Sequence, residues 1–584
     1  MADDAPSEPV STPAVATPPP RFLSWLARRP YAVLALLCLL LWLPGILSLP
    51  ALDRDESRFA QSSRQMLDSG DFIDIRFAQV PRYKKPVGIY WAQAVATSVA
   101  GHVYGLSGDD SHIWTYRLPS LLGGIVAVWL TVWCASALAG GEVALLAGLL
   151  MATSILLTAE ATIATTDAFL LATVLGAQGV LLRVYRAAMD PAAPAPSTRL
   201  VMAGWISLAA GMLVKFPVAP GVAVATIVAL VAWDRQWRWL AGLKPVRGLL
   251  LCAVLVLPWL IAIALKSHGA FFQQSLGDDF AAKVAGGQES HGAPPGYFLM
   301  TAMVSFWPAI LFVLPGLGLA IARRADPAMR FLIAWAGAWW LLVEAVPTKL
   351  PHYVLPAYPA LAILASLWLL SPRTAETGWR RWLPRVAGFQ FAAGLAAMAA
   401  APVVLPHLYG SGEVWWQMVG AGVIGVAGLV ALALLLTGRK LAAVIPALLA
   451  ALIVAPLLTA GVGPLLTRLW VSEAAAALVA RDHKDSDPPP VLAGYTEPSL
   501  VFALGADVGL TDGRGAAEWG ANKGGLALVD DSERPQFLAH LAELQADAAG
   551  LDEVSGFNYS RGRPVHVTVY RVTGLRDLPS PQRP

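Results

Sequence analysis

The sequence predicts an α-helical polytopic membrane protein with a small α/β domain at its C-terminal end. Three observations carry that reading. Of 584 residues, 56% are hydrophobic and only 14% charged, where a soluble domain carries about 25% charged residues. The apolar residues gather into thirteen runs long enough to cross about 30 Å of hydrocarbon. From about Ser472 charges return and the composition changes. The same figures exclude a disordered scaffold, which needs few apolar residues and many charges. A disulfide scaffold is excluded too, because Cys38, Cys134 and Cys252 sit inside apolar runs, and a net charge of +3 is too small to imply nucleic acid.

Residues 1–30 read as a disordered cytoplasmic N-terminus: the first twenty, rich in Pro, Ala and Ser, lack the basic start of a signal peptide. Arg21, Arg28 and Arg29 then precede the first span, Tyr31 to Pro50, and hold this end in the cytoplasm. Further spans are expected near 115–139, 142–159, 166–186, 200–214, 217–233, 246–265, 297–321, 329–346, 350–370, 385–404, 417–437 and 441–462. Val87 to Tyr104 is ambiguous, holding Gln93, Thr97, Ser98, Gly101 and His102. The charges decide it. If this stretch does not cross, the basic loops at 183–199, 235–247, 323–330, 373–385 and 439–440 all fall in the cytoplasm; if it does, all are outside. Residues 50–114 are therefore expected to form one external loop with a membrane-surface helix. Residues 31–470 make up the membrane domain.

Thirteen crossings from an inside N-terminus put 471–584 on the external side. There, short apolar segments (Val491–Gly494, Leu526–Val529, Val565–Val572) alternate with an expected helix, Glu533 to Ala548, which predicts a small α/β domain. The chain shows no internal repeat and no Walker, Rossmann or metalloprotease motif.

With that topology, the unusual polar residues gather on the external face. Asp53-Arg54-Asp55-Glu56-Ser57-Arg58 follows the first span, where a lipid headgroup would lie; the plainer alternative is a solvated helix start capped by Asp55 or Ser57. Arg82-Tyr83-Lys84-Lys85-Pro86 could be an interfacial anchor or a phosphate ligand. Asp167, after Thr165-Thr166, is a candidate acid or a helix cap. Lys215 lies in a tight turn between two spans, where an ammonium needs an anion unless it snorkels. Lys349, His352 and Tyr353 supply a cation, a titratable ring and a phenol. In the loop 266–296, Glu289 and His291 are the candidate metal ligands, so a divalent cation stays open, with no CxxC or HExxH pattern to specify it.

Two carboxylates and several cations on one membrane face suit attack on a group linked to a lipid phosphate. Cations stabilise the departing phosphate, and a carboxylate orients or deprotonates the acceptor.

The string RDESRFAQSSRQMLDSGDFI, followed by RYKKPVGIYW, resembles the first external loop of bacterial membrane glycosyltransferases of the aminoarabinose-transferase and protein O-mannosyltransferase type. ATTDAFLLAT, VKFPVAP and TKLPHYVLPAYPAL resemble later motifs of that family, and the likeness extends to about residue 370. It implies the GT-C fold and a polyprenyl (undecaprenyl) phosphate sugar donor. It also implies transfer to lipid A, lipopolysaccharide core or another acceptor at the periplasmic face of the bacterial inner membrane. By the same resemblance Asp55 and Asp167 are the catalytic acids, and Arg58, Lys85, Lys215, Lys349 and Tyr353 lie around the donor phosphate, with His352 among them. His291 is similar in place to a histidine of a later family loop. One departure is Lys84, which stands where aminoarabinose transferases usually read an acid. A protein O-glycosyltransferase and, outside the enzymes, a lipid-linked sugar flippase are the competing readings; the flippase sits poorly with charges at span ends rather than at the midplane.

Overall fold

The computed structural model describes residues 21–105, 112–275, 277, 292–372, 378–410, 412 and 415–573. Ten of its helices are long and apolar enough to cross a membrane, eleven when the bent pair Gly141–Ala152 and Ile155–Thr162 counts as one. Val218–Asp234 and Ile310–Ala322, at two further positions read as spans, fall short of that measure at 17 and 13 residues. The expected run 297–321 is not continuous: helix Tyr297–Ser305 stops, and a new helix starts at Ile310. Pro308 lies in the break and has no N–H to carry a ladder across it.

The helices pack closely where small residues allow it. A Cβ built on Gly123, in helix Ile113–Ser136, would lie 2.5 Å from the Cα of Phe169 in helix Asp167–Met189, so this contact admits no side chain. Trp42 of the first span is fully buried and donates its indole N–H to Thr158 Oγ1 at 3.1 Å. That satisfies a polar group lodged among apolar neighbours.

The segment after the first span folds into helices Asp55–Ser69 and Gly88–Tyr104, joined by a small antiparallel ribbon, Arg76–Phe77 with Val80–Pro81. Val95, Val99 and Val103 in the second helix are 63%, 58% and 67% exposed. Their four-residue spacing makes one apolar stripe, while Tyr90, Gln93 and Ala94 face the protein. An amphipathic helix of this kind suits a place along the membrane surface rather than across it.

The C-terminal region is a five-stranded sheet in the order Gly509–Thr511, Val491–Ala493, Gly525–Asp530, Arg563–Val572, Ala548–Asn558. The first three strands are parallel, with Ala527 opposite Val491, and the last two run antiparallel, with Tyr570 opposite Ala527. Helix Arg534–Glu543 is shorter than expected, because Ala548 opens an edge strand.

Candidate active site

The segments that build the site meet at one buried ion pair. Arg117, on helix Ile113–Ser136, is fully buried, and its Nε donates to Glu56 Oε1 at 2.8 Å while Nη2 donates to Oε2 at 2.9 Å. The rest of the guanidinium caps the end of the first span, donating to the carbonyls of Ile46, Leu49 and Pro50. Glu56 also accepts from the N–H groups of Leu52 and Ala164, at 2.8 and 2.7 Å. One carboxylate thus fixes the turn after the first span, the start of helix Asp55–Ser69 and the bent segment 163–166. That segment is further held by Gln93, which donates to the Ala164 carbonyl, and by Ser120, which donates to the Thr165 carbonyl.

Segment 163–166 delivers Asp167. Its carboxylate accepts from Lys215 Nζ at 2.9 Å and from Thr166 Oγ1 at 2.9 Å. His352 lies beside it, with Nε2 3.9 Å from Asp167 and Nδ1 3.6 Å from Glu160. Glu160 accepts from Thr165 Oγ1 at 2.8 Å. The bend between helices Gly141–Ala152 and Ile155–Thr162 brings Glu160 here: Ser154 caps the second helix, and its axis turns by 62°. The Lys215 ammonium sits over the Tyr353 ring, 5.6 Å from its centroid.

Asp55 faces these groups from the start of helix Asp55–Ser69 with 63% of its side chain open. Arg82 approaches it at 3.2 Å and is itself held by the Tyr90 hydroxyl at 2.7 Å. Burial opposes the Asp55 charge, but Arg82, Lys85, Arg58 and Lys215 outweigh it and hold the carboxyl below its ordinary range.

Two cavities meet at this point. The polar one, about 300 Å³, is lined by Asp55, Arg58, Arg82, Glu160, Asp167 and Thr348, among others. The apolar one, about 530 Å³, is lined by Leu170, Phe216, Trp339, Leu342 and Val343. Lys84, Lys85, Asp167, Lys215, His352 and Tyr353 line both. A ligand with a phosphate at this wall could lay an apolar chain in one cavity and a polar group in the other.

The structure therefore brings together Asp55, Arg58, Lys85, Asp167, Lys215, His352 and Tyr353. Lys349 is placed apart from them. It lines neither cavity, is 4% exposed, and its ammonium donates to the carbonyls of Glu344 and Val346 at 2.6 and 2.8 Å. It closes the end of helix Pro327–Ala345, where four carbonyls lack a helical partner. Glu289 and His291 lie outside the described residues; among those described, no group of three or more His, Cys, Asp or Glu is placed to hold a metal ion. The capping alternatives for Asp55, Ser57 and Asp167 are corrected as well. Arg54 and Thr166 occupy the N-cap positions without side-chain cap bonds, and Ser57 Oγ turns back to the Leu52 carbonyl.

Sequence reading missed Arg117 and Glu160 as parts of the site. Arg117 sits inside an apolar run and Glu160 at the edge of one, where an ionisable residue is a signal by itself. Arg82 stood in a basic cluster read as an anchor or phosphate ligand, and in the structure it pairs with Asp55.

Comparison with known proteins bears on the same segments. Residues 32–270 match the family model described as dolichyl-phosphate-mannose-protein mannosyltransferase. The undecaprenyl phosphate-alpha-4-amino-4-deoxy-L-arabinose arabinosyl transferase of Pectobacterium carotovorum subsp. carotovorum is 26% identical over 389 residues, covering 65% of this chain and 66% of that protein. The match therefore spans just under two thirds of that relative's length. In fold, the chain is similar to ArnT from Cupriavidus metallidurans bound to undecaprenyl phosphate, with a TM-score of 0.72 at 19% identity over 94% of this chain and 98% of that one. It is also similar to the oligosaccharyltransferase of Archaeoglobus fulgidus, with a TM-score of 0.52 at 10% identity over 91% of this chain and 70% of that one.

Proposed function

Because the chain belongs to the GT-C membrane glycosyltransferases of the aminoarabinose-transferase and protein-mannosyltransferase type, we propose that it transfers a sugar from a polyprenyl phosphate donor to lipid A or lipopolysaccharide core. The observation that carries this reading is the wall shared by the two cavities. The polyprenyl chain lies in the apolar cavity, the phosphate at Lys85, Lys215 and Tyr353, and the sugar in the polar cavity before Asp55 and Asp167. The Cupriavidus protein's undecaprenyl phosphate and the Pectobacterium protein's 4-amino-4-deoxy-L-arabinose name the donor to try first.

In the reaction, an acceptor oxygen attacks the anomeric carbon as its bond to the donor phosphate oxygen breaks, and polyprenyl phosphate departs with the electron pair. Lys85, Lys215 and Arg58 stabilise the charge that grows on it. A lipid A phosphate is ionised already, so Asp55 orients it; a sugar hydroxyl gives its proton to Asp55.

Residues 31–470 form the transferase body and 471–584 a periplasmic α/β domain. One feature supports a periplasmic site in the inner membrane. Asp167 opens a helix of 23 residues that carries Arg183 and Arg186 near its other end, about 30 Å away at 1.5 Å per residue. This basic helix end thus lies opposite the site, as an inside-positive orientation requires.

The test is mass analysis of lipid A, core sugars and exported proteins from cells with the protein, without it, and with Asp55→Asn. A sugar added to lipid A or core only by the parent protein is the expected result. The same addition on exported proteins instead would replace this acceptor with a polypeptide.

A further inference from the structure

Two segments of the C-terminal region, Gly494–Ser499 and Gly556–Arg561, look in sequence like ordinary turns. In the structure they come together, and they come together on the active-site loop. Glu497, 5% exposed, accepts from Asn558 Nδ2 at 2.8 Å and Arg561 Nε at 3.1 Å, and Asn558 Oδ1 accepts from the Arg561 N–H at 3.0 Å. This knot presents three groups to the turn before Asp55. The Tyr559 hydroxyl accepts from the Asp53 N–H at 2.7 Å. The Ser499 hydroxyl donates to the Asp53 carboxylate, and the Ser560 carbonyl accepts from the Arg54 guanidinium. Asp53 is 8% exposed.

The backbone gives these contacts a task. Arg54 has φ 65 and ψ −117, a conformation that a residue with a Cβ seldom adopts and that needs support from its surroundings. Asp55 is the next residue and opens the helix. Below the knot, Phe502 packs edge-on against Tyr116, with ring centroids 5.6 Å apart, one residue before Arg117. The C-terminal region therefore grips both sides of the Glu56–Arg117 pair.

We propose that Ser499 and Tyr559 are positioning residues for the transfer reaction: by clamping Asp53 and Arg54 they hold the strained turn that aims Asp55 into the polar cavity. Neither hydroxyl lines that cavity, so each acts through the loop and not on substrate. The inference rests on the function proposed above only where it speaks of turnover; the clamp itself is a statement about the loop.

The experiment uses the full-length protein in detergent and reads both. Tyr559→Phe removes one hydroxyl and keeps the ring, Ser499→Ala removes the other, and Ser499→Thr restores a hydroxyl at that place. Hydrogen exchange of the peptide covering 50–58 is expected to quicken about tenfold in Tyr559→Phe and Ser499→Ala. With an undecaprenyl phosphate sugar donor, turnover should fall about tenfold at unchanged donor KM, since the phosphate ligands stay in place. Ser499→Thr should recover both readings. A loop that exchanges at the parent rate in both variants overturns the clamp. So does a loosened loop with parent turnover, because the contacts would then be structural only. If the parent protein transfers no sugar from any polyprenyl phosphate donor, the function has failed, and the exchange measurement still decides whether the clamp exists.

Discussion

The Lys215 ammonium lies 2.9 Å from the Asp167 carboxylate, in the wall shared by both cavities. The anion that a lysine in a membrane-buried turn requires is therefore supplied by the protein. An incoming phosphate must share that cation. Removing either partner strands the other, which at a buried pair costs about 3–5 kcal/mol. Lys215→Ala and Asp167→Asn are each expected to lower the unfolding temperature, and the double variant to lose less than the two losses added. Strict additivity in thermal unfolding would show that the two groups do not act as a unit.

Asp55→Asn is expected to abolish sugar transfer, at least about a hundredfold in turnover, with almost no effect on stability. Its own side chain is 63% open, although its partner Arg82 is only 7% exposed. Arg82 keeps the Tyr90 hydroxyl and the Phe59 ring, 4.8 Å away, as partners. Turnover within a few-fold of the parent would remove Asp55 from the chemistry.

Lys349→Ala should behave in the opposite way. Its ammonium is committed to two helix-end carbonyls, and loss of such a buried contact costs about 1–3 kcal/mol. We expect a lower unfolding temperature at unchanged donor KM. A raised KM in a fully stable variant would return Lys349 to the donor site.

Glu56→Gln should be among the most destabilising single changes in the chain. The carboxylate holds Arg117 and two backbone N–H groups, and leaving a buried guanidinium without its charge partner costs about 3–5 kcal/mol. Activity should be lost with the fold, as seen in detergent unfolding. A stable but inactive Glu56→Gln would place Glu56 in the reaction.

Asp53 sets a pH dependence of stability. Burial pushes its carboxyl up to about 6; the Ser499 hydroxyl pulls it down, Glu497 adds to the rise, and Arg58 opposes it, with Tyr495 and Tyr559 also facing the group. Because the folded value is the higher one, this contribution is present at low pH and is lost as pH rises through about 6. Stability should increase by about 1.4 kcal/mol for each unit that pH falls below that value, until the unfolded-state value near 4 is reached. Asp53→Asn should flatten this slope in thermal unfolding; an unchanged slope would assign the titration to another group.

The membrane body was legible in sequence because its signals are additive: long apolar runs and basic turns repeat along the chain. The site was legible where ionisable residues cluster locally, as in residues 53–58 and 82–86. What escaped were pairings across large separations. Nothing in the neighbourhood of Arg117 points to Glu56, and Ser499 and Tyr559 lie more than four hundred residues from Asp53. The strand Ala548–Asn558 was not expected, and its first residue closed the expected helix, because it is an edge strand, largely exposed, without the alternation that marks a half-buried strand. Lys349 misled for a related reason: a lysine beside His352 and Tyr353 looks like a ligand until the carbonyls it closes are seen.

Phe216 and Leu342, on the lining of the apolar cavity, are 40% and 44% exposed, which suits entry of a lipid chain from beside the helices. On the proposed reading, donor and acceptor arrive by separate routes, and the spent carrier slides out sideways without waiting for the glycosylated product to leave. Kinetics should then show a ternary complex assembled in either order. Free polyprenyl phosphate would compete with the donor but not with the acceptor.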